Sequence, residues 1–229
     1  MQSSDNGSRE RGRFITFEGG EGVGKSTQVR HLAARLGAFH ISAVQTREPG
    51  GTPKAEALRS FILRGSPESW GVGAEAVLFA AARLDHVNEL IAPSIAAGKW
   101  VICDRFADST RAYQGLTGGV DERLIDALEV LALNGQRPDL TIILDMEPET
   151  SFARIRKRAQ AKGEAADRYE REDFEFHRRL RDNFLSVAEN EPERCVVLAA
   201  DTDEEGLAEV IWTIVKARFP ELAEAEQAV

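Results

Sequence analysis

Cysteine is scarce in this chain, with Cys103 and Cys195 the two among 229 residues. A disulfide framework or a structural zinc site needs more thiols at closer spacing. Both therefore read as small apolar core residues, as suits a reducing cytoplasm. Long apolar runs are missing too; none approaches the roughly 20 residues that cross a bilayer. The first twelve residues are polar and charged, with no apolar segment of a secretory signal, and read as a disordered leader. Positive charge is not in excess, since 29 Lys and Arg face 38 Asp and Glu for a formal net charge of -9. That balance argues against broad nucleic-acid binding, which draws on a basic surface. His31, His40, His86 and His177 show neither triad-like nor metal-ligand spacing. No internal repeat and no low-complexity linker interrupts the chain.

What is present is an alternation. Short apolar runs at residues 14–17, 41–45, 100–103, 140–144 and 195–198 read as strands. Between them, residues 27–36, 55–63, 74–97, 122–133, 149–161, 174–189 and 204–219 carry helical period. Continuous apolarity in the strands predicts a parallel sheet covered on both faces, in an open α/β fold with ligands at the carboxyl ends of its strands. One domain over residues 13–219 follows, with an acidic, frayed tail at 220–229. Pro93 predicts a kink or break before Gly98.

The first chemical signal is Gly19-Gly20-Glu21-Gly22-Val23-Gly24-Lys25-Ser26, followed by Thr27 at the start of a helix. It matches G-x-x-x-x-G-K-[ST] and lies between a strand and a helix, where a phosphate-cradling loop belongs. Glycines let backbone N–H groups turn inward, and the helix adds its positive end. Lys25 is expected at the β- and γ-phosphates and the Ser26 hydroxyl on Mg²⁺. Asp104, at the end of a second apolar strand, is placed to hold the same ion through water, or to cap a turn. Arg105 follows it with a fork of donors for phosphate. A GTPase would also carry an Asn-Lys-x-Asp sequence, which this chain lacks.

Further motifs carry a resemblance. Phe17-Glu18-Gly19 through Thr27, Arg47-Glu48-Pro49-Gly50-Gly51-Thr52, Leu78-Phe79-Ala80-Ala81-Ala82-Arg83, and Asp104-Arg105-Phe106-Ala107-Asp108-Ser109-Thr110-Arg111-Ala112-Tyr113-Gln114-Gly115 stand in this order. Together they resemble the bacterial thymidylate kinases, over about residues 13–219. The resemblance implies a P-loop NTPase three-layer fold with a five-stranded parallel sheet and a mobile lid. It implies phosphoryl transfer from ATP to dTMP with Mg²⁺, in a homodimer.

Each motif then acquires a role. Phe79 and Arg83 are four residues apart and share a helix face. By pattern alone they are a core aromatic and a solvated arginine; by resemblance they stack on thymine and bind a base carbonyl. Arg47 and Arg105 match arginines that hold the dTMP phosphate, although each could equally be a surface ion-pair partner. Tyr113 matches a tyrosine under the deoxyribose that leaves no room for a 2′-hydroxyl. Thr110 and Gln114 are within reach of the base edge. Glu21 matches an acidic residue near the acceptor 3′-hydroxyl or the metal. A monophosphate acceptor is already anionic, so the expected cluster is Lys, Arg and Mg²⁺ without a general base.

The basic stretch Arg154-Ile155-Arg156-Lys157-Arg158, continued by Lys162, Arg168 and Arg171, resembles the family lid, at about residues 154–172. One version of the family carries a catalytic arginine in the P-loop, where this chain has Gly22. The charge must then come from the lid, with Arg156 and Arg158 favoured ahead of Arg154 and Arg168. A solvated basic helix face accounts for some of the same charges. Two rival readings stand beside this one. The first is another nucleoside or nucleotide kinase of the P-loop class; one acting on a nucleoside hydroxyl would use a carboxylate base after the second strand, where Glu48 sits. A P-loop regulatory ATPase would turn over without any added monophosphate.

Overall fold

Five short strands build the frame: β1 (Phe14–Glu18), β2 (Ala43–Arg47), β3 (Trp100–Asp104), β4 (Leu140–Asp145) and β5 (Cys195–Ala199). In this computed structural model, residues 11–64, 70–162 and 169–222 are described, the side chains of 158–162 aside. All strand pairs are parallel, in the order β2-β3-β1-β4-β5. The three central strands are almost wholly buried, and their near-continuous apolar sequences reflect cover on both faces. The edge strands β2 and β5 alternate in burial instead, so two-sided cover stops one strand short of each edge.

The helices are α1 (Lys25–Ala38), α2 (Pro53–Leu63), α3 (Val72–His86), α4 (Ala92–Ala96), α5 (Ala107–Thr110), α6 (Glu122–Leu133), α7 (Pro148–Lys162), α8 (Phe174–Asn190) and α9 (Glu204–Arg218). On one face of the sheet, Val29, Leu32 and Leu36 of α1 meet Leu207, Ile211 and Val215 of α9 over Ile15 and Phe17. Successive strand residues point to opposite faces, so Phe14 packs on the other side with Ile91, Val101 and Phe106. There α8 supplies Leu180 and Phe184 against Ile143 and Ala112. Each such side chain contributes about 1.5–3 kcal/mol through removal from water.

Helix starts follow local chemistry. Thr52 Oγ1 accepts from Ala55 N at 3.2 Å with Pro53 in the first turn, while Asp121, Asp173 and Asp203 cap α6, α8 and α9 through their carboxylates. Helix α1 differs: it opens on Gly24, left-handed at φ 101, with no side-chain cap. Its N-terminus is turned into the P-loop, an arrangement suited to an anion.

The structure departs from the sequence expectation in three places. Strand β2 begins at Ala43, two residues later than residues 41–45 predict. Pro93 does not break the helix: a π-helical turn at Val87–Ile91 precedes it, and the chain stays helical to Ala96. The wider turn absorbs the missing N–H and the bulk of the pyrrolidine ring. After Arg105, α5 runs into a second π-helical turn at Arg111–Thr117, a helical stretch that the sequence reading left unassigned.

Candidate active site

The carboxyl ends of β1, β2, β3 and β5 open onto one cleft of about 800 Å³. Its floor is the P-loop, from Glu21 to Thr27. Lys25 is buried in the cleft wall, its Nζ donating to Gly20 O at 2.6 Å and Gly19 O at 3.2 Å. Ser26 Oγ donates to Asp104 Oδ2, so the hydroxyl and the carboxylate expected to serve one metal are already in contact. On this side Ala200, Thr202, Asp203 and Leu207 form the opposite wall. Val23 instead turns into the core, so its share of the loop is backbone alone.

The other half of the cleft centres on Arg105. Its backbone sits at φ 72, a left-handed conformation that costs an L-residue about 1–2 kcal/mol. That turn is held by the ladder bond from Arg105 N to Phe17 O and by Glu18, whose buried carboxylate accepts from Phe106 N at 2.7 Å and Ser109 Oγ at 2.7 Å. The guanidinium then spans the site. Nη1 donates to Gly19 O at 3.0 Å and Ser109 Oγ at 3.1 Å; Nη2 donates to Glu21 Oε1 at 2.8 Å and the Tyr113 hydroxyl at 3.1 Å. Tyr113 donates to the same Glu21 oxygen at 2.7 Å.

These contacts set the charges. Burial alone would raise the Glu21 carboxyl, but Arg105, Lys25 and the Tyr113 hydrogen bond pull it down to about 2. Burial lowers Lys25 to about 8, with Arg105 adding repulsion and Glu21, Asp104 and Glu18 opposing it. Burial and the nearby Asp108 push Glu18 up to about 7, against Arg105 and its hydrogen bonds. Burial opposes charge on Arg105, yet Glu21 and its neighbours raise it further, so it stays cationic. The centre is a balanced set of opposite charges out of water, the setting in which electrostatics act most strongly.

The comparisons with known proteins agree with this geometry. The family profile described as thymidylate kinase matches residues 17–211. The chain belongs to the thymidylate kinase family. A thymidylate kinase of Rhodopseudomonas palustris is 52% identical over 216 residues, covering 94% of this chain and 93% of that protein. One from Nitrobacter winogradskyi is 48% identical over 218 residues, covering 95% and 94%. The crystal structure of thymidylate kinase from Ehrlichia chaffeensis superposes with a TM-score of 0.71 at 34% identity, covering 90% of this chain and 99% of that one. The P-loop three-layer fold and the nucleoside monophosphate kinase class follow from these likenesses.

Within this thymidylate kinase fold most of the sequence-predicted residues share the cleft; Gly19 and Gly20 are not among its lining, although their carbonyls hold Lys25. Gly22, Gly24, Lys25, Ser26, Thr27, Arg47, Phe79, Asp104, Arg105, Thr110, Tyr113 and Gln114 all line the one cleft with Glu21. Arg47 lies at its edge, half exposed and paired with Glu56 at 3.1 Å. Arg83 is not among the cleft-lining residues; it sits one turn behind Phe79, 3% exposed. Its Nε donates to Glu48 at 2.7 Å and its Nη2 to Phe106 O and Thr110 Oγ1, both at 3.0 Å. Glu48 also accepts from His86 Nδ1 at 3.0 Å. Each carboxylate oxygen of Glu48 therefore already accepts one hydrogen bond, and the residue lines the cleft from behind Phe79 and Thr110.

The lid arginines separate as well. Helix α7 runs unbroken through residues 154–158, with Ile155 buried against the P-loop. A Cβ on Gly22, which has φ 72, would stand 2.8 Å from Ile155 Cγ1 and 2.9 Å from Ser151 O. This docking fixes the phase of α7: Arg154 lines the cleft, whereas Arg156 is exposed. The Arg158 side chain and all of Arg168 lie outside the described residues, as does the 163–168 part of the lid.

Sequence reasoning missed Arg59, Glu75 and Tyr169. Arg59 lines the cleft and donates to Pro49 O at 2.8 Å. One signal was available for Tyr169: the chain has only two tyrosines, and both line the cleft.

Proposed function

We propose that this chain transfers the terminal phosphoryl group of ATP to dTMP, forming dTDP and ADP. The observation that carries the reading is the single cleft joining the P-loop to the wall of Arg47, Phe79, Arg105 and Tyr113. Two anionic ligands fit there end to end, with Lys25 and Arg105 between them. The P–O bond to the leaving ADP oxygen breaks as one forms to a dTMP phosphate oxygen. That oxygen is already anionic, so no residue needs to take a proton. Lys25 follows the donor phosphates, and Arg105 with Arg47 holds the acceptor phosphate. Phe79 stacks on the base, Tyr113 packs under the sugar, and Thr110 and Gln114 face the base edge. Arg83 acts from behind the wall, keeping Glu48 and Thr110 in place.

Ser26 and Asp104 fit Mg²⁺, since one hydroxyl and one carboxylate are hard oxygen donors for an ion that takes its remaining ligands from water and phosphate. When bound, the ion supplies charge neutralisation on the donor phosphates. Glu21 is assigned to the acceptor 3′-hydroxyl or that metal. Lid closure brings the α7 arginines over the donor; Arg154 is the nearest described candidate beside the favoured Arg156 and Arg158. A homodimer is proposed through α3 and α6, which pack together and leave Val77, Val130 and Leu131 exposed. A cytoplasmic location suits two free, buried thiols, and no helix among the described residues is long and apolar enough to cross a membrane.

A coupled ADP-release assay with ATP and Mg²⁺ across dTMP, UMP, CMP, AMP and GMP tests this. Turnover should be fastest with dTMP. Equal rates for dTMP and UMP would sink the acceptor assignment, and turnover independent of any monophosphate would restore the regulatory ATPase.

A further inference from the structure

Three residues from separate segments meet behind the base side of the cleft. Gln114, in the π-helical turn, is 2% exposed at the cleft wall. Its Nε2 donates to Glu75 Oε1 of α3 at 2.7 Å and to the Tyr169 hydroxyl at 3.1 Å. The Tyr169 hydroxyl donates in turn to the same Glu75 oxygen. Glu75 is itself 2% exposed and Tyr169 is 8% exposed, so water competes little for these bonds. The tyrosine is further fixed by an edge contact with Tyr113, ring centroids 5.0 Å apart.

This ring of bonds has one consistent sense. An amide nitrogen carries two hydrogens, and both are used here. The Tyr169 proton is committed to Glu75, which leaves its oxygen to accept. Reversing the amide would set Gln114 Oε1 against Glu75 Oε1, two acceptors without a proton between them. The Gln114 orientation is therefore settled by its neighbours, which leaves Oε1 as the amide atom outside the ring, on a side chain that lines the cleft.

We propose that Glu75 and Tyr169 are positioning residues that make Gln114 an acceptor toward the bound base, so that the site demands a pyrimidine bearing an N3–H. The inference rests on the dTMP reading above and deepens it. Thymine and uracil carry a proton at N3. Cytosine carries a lone pair there, and would meet Oε1 acceptor to acceptor. A buried polar pair of like sense is rejected more strongly than a lost methyl contact. Discrimination against cytosine would thus originate two bonds away from the ligand.

The test compares Glu75→Met, Glu75→Gln and Tyr169→Phe in the full-length enzyme, measuring kcat/KM for dTMP, dUMP and dCMP. Glu75→Met removes the acceptor and frees the amide to turn over. Its KM for dTMP should rise about tenfold, the preference for dTMP over dCMP should fall by a similar factor, and KM for ATP should hold. Glu75→Gln keeps an oxygen in place and should restore most of the preference. A folded Glu75→Met enzyme with the parental dTMP-to-dCMP ratio overturns the proposal. Where that variant does not fold, Glu75→Ala in the Tyr169→Phe background decides, since it removes both acceptors of the amide: a reduced ratio supports the proposal and an unchanged ratio overturns it. Failure of the parental enzyme to use dTMP at all would instead strike the function reading itself.

Discussion

Replacing Gly22 with alanine probes the contact between the P-loop and the lid helix. Two costs are readable from the structure. At φ 72 an L-residue pays about 1–2 kcal/mol for the left-handed backbone. The new methyl would also stand 2.8 Å from Ile155 Cγ1 and 2.9 Å from Ser151 O. Ile155 and Ser151 are both at most 5% exposed, so neither yields cheaply, and overpacking of this kind costs about 1–3 kcal/mol. The sum is about 2–5 kcal/mol, which for a domain of this size lowers Tm by about 5–20 °C. Gly24→Ala is the control: φ is 101, but a Cβ there meets nothing within 4 Å, so it carries backbone strain without the clash. Thermal unfolding of Gly22→Ala, Gly24→Ala, Ile155→Ala and the Gly22→Ala/Ile155→Ala pair completes the comparison. Trimming Ile155 should relieve part of the Gly22→Ala cost, a coupling of about 1 kcal/mol between touching sites. Strict additivity, or a Gly22→Ala enzyme with unchanged Tm, would refute docking of α7 on the loop.

Two further outcomes are expected. Lys25→Ala should nearly abolish phosphoryl transfer while calorimetry still detects dTMP binding; loss of dTMP affinity would mean donor and acceptor sides have been exchanged. Glu18 gives a pH signature. Its carboxyl is held at about 7 when folded, above the ordinary 4.5, so the folded state retains the proton longer than the unfolded chain. Its contribution is fully present below about 4.5 and is lost as pH rises toward 7. Denaturant melts of Glu18→Gln from pH 5 to pH 8 should therefore show a flatter decline than the parent, and identical slopes would count against the shift.

The legible parts of this molecule were local. The P-loop occupies one unbroken strand–loop–helix passage, so spacing alone located Lys25 and Ser26 where the cleft has them. Helix extents followed from caps and periodicity: α6 begins after Asp121 where the pattern placed it. What spacing could not supply was depth. Phe79 and Arg83 share a helix face, yet Phe106 O and Thr110, from a segment more than twenty residues on, seal Arg83 behind the wall. The phase of α7, and so the choice between Arg154 and Arg156, depends on Ile155 meeting a glycine more than a hundred residues earlier. The ring of Glu75, Gln114 and Tyr169 joins three distant segments, and no motif records it. Arg105 was visible as a residue, but its left-handed backbone is imposed by Glu18 and Phe17 across the sheet.

On the dTMP reading proposed above, the pairing of Glu21 with Arg105 at 2.8 Å makes the acceptor site a competitive one. The guanidinium already has an anion, supplied by the chain itself and tied in place by Tyr113. An entering phosphate must outbid that internal carboxylate, and phosphate charge alone is a poor challenger. A ligand wins when base and sugar contacts add to its charge, so recognition of the whole nucleotide gates access to the arginine.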